Sequence, residues 1–387
     1  MVKRDAIHRL KELMGRFKAV AVVGPRQSGK TTLIRRQYDL KPYVSLENPD
    51  SRNFAMEDPR GFLSMYPRGA ILDEIQRVPH LFSYLQEILD NSKQKGMFIL
   101  SGSNNFLLQE NIAQSLAGRV GYLQLLPFAF TELQQSGKLP ASDEALMLKG
   151  FYPPVYDQEI PAADWCPNYI ATYVEKDVRQ IKNVTDLIVF ERFLRLLAGR
   201  NGQELNQSSL ALETGVDVKT AQSWIGILES SFIIYLLRPH YRNFNKTIVK
   251  RPKLYFYDTA LVCNLLGIHT EQQLEFHPLR GAIFEGMVIT ELVKVRTNSG
   301  QPMNLYYWRE KTGRELDILV ENVDELLPVE IKSGKTISPE YFKNLEYWKR
   351  LTGNGDGYVL YAGDQMQQRS SGIKVLNWRS AAAKKLI

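Results

Sequence analysis

The amino-acid sequence predicts an α/β protein whose first domain contains a parallel sheet, followed by a helical middle region and a second α/β domain. Three observations support this prediction. A glycine-rich stretch directly follows the apolar run Ala19–Val23, two helical patterns flank a glycine at residue 215, and acidic strand-like stretches occur after residue 310. A chain of 387 residues is long enough for two or three domains. We expect them to span residues 1–150, 151–265 and 266–387.

The composition favours a cytoplasmic protein with an anionic partner. The formal net charge is +7, and positive charge attracts nucleic acid independently of its sequence. The same charge is also ordinary for a well-dissolved protein. Cys166 and Cys263 belong to no CxxC pair, which argues against a disulfide framework or a zinc site. No apolar run approaches the ~20 residues that span a bilayer, so we expect no membrane segment.

The stretch GPRQSGKT, residues 24–31, matches the phosphate-binding pattern GxxxxGK[ST] and lies between a predicted strand and a predicted helix. Glycines let consecutive backbone N–H groups point at one anion, and the helix presents its positive amino end to the same place. We expect Lys30 to contact the β- and γ-phosphates of ATP and the Thr31 hydroxyl to bind Mg²⁺. The predicted nucleotide-binding stretch comprises Gly24, Pro25, Arg26, Gln27, Ser28, Gly29, Lys30, Thr31 and Thr32.

A second acidic motif follows the apolar residues 70–72. Asp73 is predicted to hold Mg²⁺ through a water of the metal's shell, together with Thr31. Glu74, the next residue, is predicted to be the general base that polarises the attacking water. The strand-like stretch 42–46 lies between the two motifs, so their strands are not expected to be neighbours.

A further strand is predicted near residues 97–102, with Ser103 and Asn104 at its tip. One of these two polar residues is expected to sense the γ-phosphate of ATP. The alternative is that both residues only cap a turn.

These motifs resemble those of prokaryotic ATPases of the AAA superfamily whose C-terminal region was first described only as a region of unknown function. The matching residues are 24–33, 72–76, 101–104 and 115–119, followed by 126–128 and Glu132, and the resemblance extends along nearly the whole chain. It implies a ring of identical subunits in which Arg119 projects into a neighbour's nucleotide site as an arginine finger. A guanidinium there would stabilise transition-state charge. The alternative is a salt-bridged or exposed arginine.

The middle of the chain, residues 205–237, shows the pattern of a helix-turn-helix followed by a strand. Asp217 is expected to cap the second helix, which would direct Lys219, Gln222 and Ser223 outward. A basic wing is predicted next, comprising Arg238, His240, Arg242, Lys246, Lys250, Arg251 and Lys253. Such a winged helix binds either DNA or another protein, and both alternatives stay open.

Two strand-like stretches near the end carry a possible metal site. Period two places Glu330 and Lys332 on one face of a strand, and Asp317 on the paired strand could join them. Asp317 and Glu330 would bind Mg²⁺, Lys332 would orient or deprotonate the nucleophile, and Glu285 on a preceding helix would add a ligand. This order resembles the PD-(D/E)XK nuclease fold, although no proline precedes Asp317. The alternative is a salt-bridged group without catalysis.

The leading hypothesis is therefore a Mg²⁺-dependent AAA-type ATPase that acts on DNA through a winged helix and a nuclease-like domain. A rival hypothesis is a signalling or scaffold switch whose C-terminal modules bind protein. A third is DNA binding without cleavage.

Overall fold

The computed structural model describes residues 2–102, 112, 115–174, 187–240, 249–322, 325–353 and 355–384. These residues form two compact units. The first comprises Met1–Phe128, Ser230–Phe232 and Arg296–Gln301, and the second comprises Ala129–Glu229, Ile233–Val295 and Pro302–Ile387. Within the described residues, no helix combines the length and apolar character needed to cross a membrane.

The first unit contains the predicted parallel sheet. Its described helices are α1 (Ile7–Arg16), α2 (Lys30–Gln37), α3 (Pro49–Glu57), α4 (Pro59–Ser64) and α5 (Leu81–Asn91), and its strands are β1 (Ala19–Val23), β2 (Tyr43–Ser45), β3 (Ile71–Asp73), β4 (Phe98–Gly102) and β5 (Val120–Gln124). The five strands are ordered β2-β3-β4-β1-β5, and all pairs are parallel. Because β4 separates β1 from β3, the prediction that the two motif strands are not neighbours is confirmed.

The all-apolar sequence of β1 reflects its position inside this sheet. All five of its residues are buried, as expected for a central parallel strand covered on both faces. Val20 and Val22 cluster with Leu10 and Leu13 of α1 and with Ile34 of α2. Each such buried aliphatic side chain contributes about 1.5–3 kcal/mol. This packing fixes the carboxyl end of β1, where the glycine-rich stretch begins.

The second unit combines many short helices with two sheets. Its described helices are α6 (Phe130–Gln135), α7 (Asp143–Lys149), α8 (Pro153–Asp157), α9 (Ala162–Tyr169), α10 (Leu187–Ala198), α11 (Gln207–Thr214), α12 (Val218–Ser230), α13 (Thr259–Leu265), α14 (Glu271–Glu275), α15 (Arg280–Ser299), α16 (Lys343–Thr352) and α17 (Trp378–Lys384). Its strands are β6 (Ile234–Leu237), β7 (Lys253–Phe256), β8 (Leu305–Arg309), β9 (Glu315–Glu321), β10 (Leu326–Lys332), β11 (Gly357–Tyr361), β12 (Gln367–Gln368) and β13 (Ile373–Asn377).

Helices α11 and α12 form the helix-turn-helix pattern. Gly215 ends α11 in the left-handed region, with φ of 84°. The Asp217 carboxylate accepts a hydrogen bond from the Thr220 backbone N–H at 2.8 Å, which caps the start of α12. Trp224 of α12 packs edge-on against Phe193 of α10, with ring centroids 5.1 Å apart. The antiparallel pair β6 and β7 follows.

The larger sheet of the second unit has the strand order β12-β13-β11-β10-β9-β8. Strands β8, β9 and β10 are antiparallel neighbours, and β11 joins β10 in parallel after the helix α16. Trp308 of β8, Leu316 of β9 and Trp348 of α16 lie in one buried cluster. The meander places β9 beside β10, with Ile318 opposite Val329.

Gly69 holds β3 in place, and its replacement tests that role. Gly69 has φ of +83°, and a Cβ there would lie 1.9 Å from the Met97 carbonyl oxygen, just before β4. Gly118 has a similar φ of +74°, but none of the described residues outside its immediate chain neighbours comes within 4 Å of its Cβ position. We expect Gly118→Ala to lower the free energy of unfolding by about 1 kcal/mol through backbone strain. Gly69→Ala should cost about 1–3 kcal/mol more because the backbone must shift. Urea unfolding followed by circular dichroism measures both, and equal losses would contradict the assigned clash.

Candidate functional site

The glycine-rich stretch forms a loop between the buried end of β1 and the start of α2. Gly24 has φ of +152°, and a Cβ there would lie 2.1 Å from the Leu125 carbonyl oxygen, so only glycine fits. Gly29, with φ of 89°, directly precedes the first residue of α2. Helix α2 therefore begins at the loop, and the amino end of a helix is a suitable place for binding phosphate.

The loop residues differ in exposure. Pro25 and Ser28 are buried, Arg26 is half-buried, and Gln27 is exposed. Gln27 adopts the left-handed region, with φ of 59°, although it is not glycine. Thr32 is exposed on the first turn of α2. The predicted nucleotide-binding stretch therefore includes both buried and exposed residues. The strained backbone at Gln27 is typical of ligand-binding loops.

The Lys30 ammonium lies across the loop. It donates to the Gly24 carbonyl at 2.9 Å and to the Pro25 carbonyl at 2.7 Å. Arg4, which sequence reasoning missed because no motif marks it, supports the loop from the N-terminal segment. Its guanidinium donates to the Ser28 carbonyl at 2.7 Å and to the Leu126 carbonyl at 2.6 Å.

Asp73 is the buried acceptor at the end of β3. Its carboxylate accepts hydrogen bonds from the Thr31 hydroxyl at 3.0 Å and the Tyr43 hydroxyl at 2.7 Å, and also from the Ser101 hydroxyl. Burial, together with Asp73, raises the pKa of Tyr43 to about 12, so this hydroxyl remains a donor. Tyr43 and Ser101 were missed as site residues. Tyr43 begins β2, Ser101 lies near the carboxyl end of β4, and both strands are neighbours of β3.

The donor set of Thr31 and Asp73 fits Mg²⁺. The metal prefers hard oxygen ligands, and these two residues bring a hydroxyl and a carboxylate oxygen within 3.0 Å at the amino end of α2. Thr31 and Asp73 are therefore the residues that would hold the ion. The sequence predicted this pair from two motifs 42 residues apart.

Glu74 follows Asp73 and is half-buried. It adopts the left-handed region, with φ of 56°, and precedes a 3-10 helix at Ile75–Arg77. Its carboxylate accepts a hydrogen bond from the Gln76 amide at 2.5 Å. A non-glycine residue in this conformation is strained, and such strain is often found where a side chain must point into a site. Ser103 and Asn104 lie outside the described residues, so their role stays a prediction.

Arg119 lies beside the amino end of β1, whereas the glycine-rich loop follows the carboxyl end of the same strand. It directly precedes β5, whose first residue Val120 is opposite Ala19 at the start of β1. Its guanidinium donates to the Asp90 carboxylate at 2.5 and 2.9 Å. The structure therefore does not bring Arg119 to Lys30 or Glu74 of the same chain. The salt-bridged alternative describes its present contact.

The predicted C-terminal residues meet on neighbouring strands. The Lys332 ammonium donates to Glu330 at 2.8 Å and to Asp317 at 3.2 Å. The Ile331 backbone N–H also donates to Asp317, at 2.7 Å. Burial and the adjacent Asp317 raise the pKa of Glu330 well above its ordinary value. Burial would also raise the pKa of Asp317, but Lys332 and Lys253 outweigh this effect and lower it.

Glu285 and Lys253 form a second part of this cluster. Glu285 of α15 accepts from the Lys253 ammonium at 3.1 Å and from the Tyr255 hydroxyl at 2.5 Å. Burial raises the pKa of Glu285 to about 7, although Lys253 opposes the rise. Lys253 also pairs with Glu315 of β9. We call Glu285, Glu315, Asp317 and Glu330 the C-terminal acidic cluster.

Two members of the predicted basic wing are not on a basic surface. Lys253 is buried because carboxylates of the acidic cluster draw its ammonium inward. His240 is also buried, and its ring packs edge-on against Tyr306 with centroids 5.3 Å apart. The assignment of both residues to an exposed wing was wrong. Arg242 and Lys246 lie outside the described residues, whereas Lys250 and Arg251 are exposed.

The C-terminal acidic cluster does not fit a divalent metal in this arrangement. In the described part of the chain, no group of three or more His, Cys, Asp or Glu residues is arranged to hold a metal ion. Lys332 and Lys253 already neutralise the carboxylates that were predicted as ligands. The predicted residues therefore come together, but as ion pairs.

Comparison with known proteins places the chain in a family. The uncharacterized protein Rv2008c of Mycobacterium tuberculosis is 33% identical over 341 residues, covering 87% of this chain and 75% of that protein. The chain belongs to the family of this mycobacterial protein. Residues 16–134 match the AAA domain, residues 142–272 match a domain of unknown function (DUF8612), and residues 280–381 match another (DUF4143). The prediction of an AAA-superfamily ATPase is thus confirmed for the first part of the chain.

More distant similarities extend beyond the bacteria. Uncharacterized protein MJ1544 of Methanocaldococcus jannaschii is 23% identical over 334 residues, which cover 78% of this chain and 72% of that protein. Among solved structures, the Walker-type ATPase PABY2304 of Pyrococcus abyssi is 14% identical with a TM-score of 0.46, covering 68% of this chain and 96% of that one. The winged-helix and nuclease-like assignments made for the present chain stay predictions.

Proposed function

We propose that this AAA-domain protein binds ATP with Mg²⁺ and hydrolyses it. The observation that carries the proposal is the contact of Thr31 with Asp73 at the amino end of α2, beside a loop that contains Lys30. This contact brings the predicted metal ligands together at the predicted phosphate cradle. A glycine turn with a purely structural role would not require a buried carboxylate beside it that accepts hydrogen bonds from three hydroxyl groups.

Each residue of the site has a separate role in this proposal. Lys30 exchanges the Gly24 and Pro25 carbonyls for the β- and γ-phosphates, while the N–H groups at the start of α2 bind phosphate oxygens. Bound Mg²⁺ supplies positive charge at the phosphates. Glu74 accepts a proton from the attacking water, and Gln76 holds its carboxylate in place. Ser103 or Asn104 senses the γ-phosphate.

Arg119 is proposed to act on a neighbouring subunit of a ring. Its position at the edge of the sheet opposite its own phosphate loop supports this assignment, because it cannot stabilise charge in its own site. A homo-oligomer would bring this edge to the nucleotide of the next subunit.

DNA is the proposed partner of the second unit. Lys219 and Gln222 are exposed on α12, the second helix of the helix-turn-helix pattern, and Lys250 and Arg251 are exposed before β7. Together with the net charge of +7, these side chains support phosphate contacts. If the same helices instead bind a protein, the chain is an ATP-dependent scaffold or signalling switch.

DNA cleavage at Asp317, Glu330 and Lys332 is the second candidate function. The observation in its favour is that these three side chains meet on β9 and β10, where the Lys332 ammonium lies 2.8 Å from Glu330 and 3.2 Å from Asp317. The ion pairs that neutralise the acidic cluster oppose cleavage in the arrangement described above.

ATP hydrolysis is tested by two substitutions at the nucleotide site. Lys30→Ala is expected to abolish ATP binding, because the loop loses its ammonium. Glu74→Gln should bind ATP normally but lower kcat about 10²–10⁴-fold, which is the usual contribution of a general base. Fluorescent-nucleotide titration and phosphate release measure the two effects. Glu57→Gln, at an exposed position on α3, is the matched control, and wild-type turnover by Glu74→Gln would remove its assigned role.

The DNA proposal predicts association with a fluorescent duplex that weakens steeply as salt increases. Because each phosphate contact releases counterions, Lys219→Ala should reduce the slope of log K against log salt by about 1. Lys11→Ala, an exposed change on α1, should leave the slope unchanged. Absence of any salt-dependent association at low ionic strength would favour the scaffold alternative.

Lys332→Ala tests the cleavage candidate. Any Mg²⁺- or Mn²⁺-dependent cutting of DNA that belongs to this site should be lost in the variant, since Lys332 contacts both Asp317 and Glu330. Lys343→Ala, which removes an exposed lysine of α16, is the control. Cutting that persists in Lys332→Ala points to a contaminating nuclease.

A further inference from the structure

The ammonium of Lys253 pairs with two of the four carboxylates of the C-terminal acidic cluster. Its side chain is only 3% exposed, and it lies 3.1 Å from Glu285 while also pairing with Glu315. We infer that Lys253 is the resident cation of this cluster and occupies the position that a divalent metal would need. The cluster is then a metal-free ion network as long as β7 stays in place.

The backbone of Lys253 is fixed on both sides, which explains why its side chain points inward. Lys253 is the first residue of β7 and lies opposite Leu237 of β6. On its other side it forms an antiparallel bridge with Glu204. The ammonium also lies 5.5 Å from the centre of the Tyr307 ring, within the range of a cation–π interaction.

Each carboxylate of the cluster already has a cationic partner. Lys253 pairs with Glu285 and Glu315, and Lys332 pairs with Asp317 and Glu330. Arg309 adds a second partner for Glu315 at 3.0 Å. A divalent ion would have to displace these pairs and would then lie beside a buried ammonium. Charge repulsion at such short range opposes metal binding strongly.

This inference concerns ion occupancy and does not rest on the ATPase proposal. Its failure would leave Lys30, Thr31 and Asp73 untouched, and loss of ATP hydrolysis would not affect it. It does set a condition for the cleavage candidate, because metal-dependent chemistry at Asp317 and Glu330 would require Lys253 to leave the cluster.

The test measures Mn²⁺ binding to the full-length chain in the absence of nucleotide. Electron paramagnetic resonance monitors the binding. All variants carry Asp73→Asn, so that the nucleotide site contributes little metal binding. Lys253→Met is expected to bind one Mn²⁺ at least about tenfold more tightly than the parent, because one buried positive charge is removed. Lys250→Met, the exposed neighbour in the same segment, should match the parent. Adding Asp317→Asn to Lys253→Met should abolish the gain.

Two outcomes would overturn the inference. One is a folded Lys253→Met variant that binds Mn²⁺ no better than its parent. The other is a parent chain with a Mn²⁺ site that disappears with Asp317→Asn, since the metal would then bind beside Lys253. This second comparison needs no Lys253 variant and holds even if Lys253→Met fails to fold. If that variant is only destabilised, Mn²⁺ should raise its Tm and leave that of the parent unchanged.

Discussion

The hydrogen bonds to the Asp73 carboxylate connect the parts of the nucleotide site. One buried side chain accepts from Thr31 on α2, Tyr43 on β2 and Ser101 on β4. Asp73 and Ser101 meet because the parallel strands β3 and β4 end at the same side of the sheet, whereas the Tyr43 hydroxyl reaches Asp73 from the start of β2. A buried carboxylate without such donors would be costly, so the phosphate loop, the acidic strand and its two neighbours must be positioned together.

Asp73 and two members of the C-terminal acidic cluster, Asp317 and Glu330, are buried, but different kinds of donor satisfy their carboxylates. Three hydroxyl groups donate to Asp73, and a hydroxyl donor carries no formal charge. The C-terminal acidic cluster is satisfied by ammonium groups, which cancel the charge itself. The carboxylates of the C-terminal acidic cluster therefore already have cationic partners, whereas the hydrogen bonds that the structure shows to Asp73 come from hydroxyl groups.

Sequence reasoning predicted the local structure where that structure depends on short-range spacing. The glycine-rich loop and Asp73 were identifiable because each motif lies at a strand end, and the parallel sheet followed from the same apolar runs. Contacts that depend on how distant segments pack were not identifiable. Arg4 reaches the loop from a segment with no motif, and Ser101 was overlooked in favour of Ser103 and Asn104. Lys253 was assigned to the basic wing because the sequence alone did not reveal that it begins β7, a strand whose four residues are all buried.

Arg119 pairs with Asp90 in the structure, and it is proposed to act as an arginine finger on a neighbouring subunit. The same side chain can do both, at different times. Arg119 donates two hydrogen bonds to Asp90 on an exposed surface, where solvent and salt screen the attraction. Exposed pairs of this kind are easily exchanged. A guanidinium binds phosphate with the same forked geometry that it uses for a carboxylate. Because β5 begins at the end of the sheet opposite the phosphate loop, the proposed finger role requires a phosphate of another subunit. If Arg119 acts as proposed, Asp90 keeps the guanidinium ordered until the nucleotide of a neighbouring subunit replaces it.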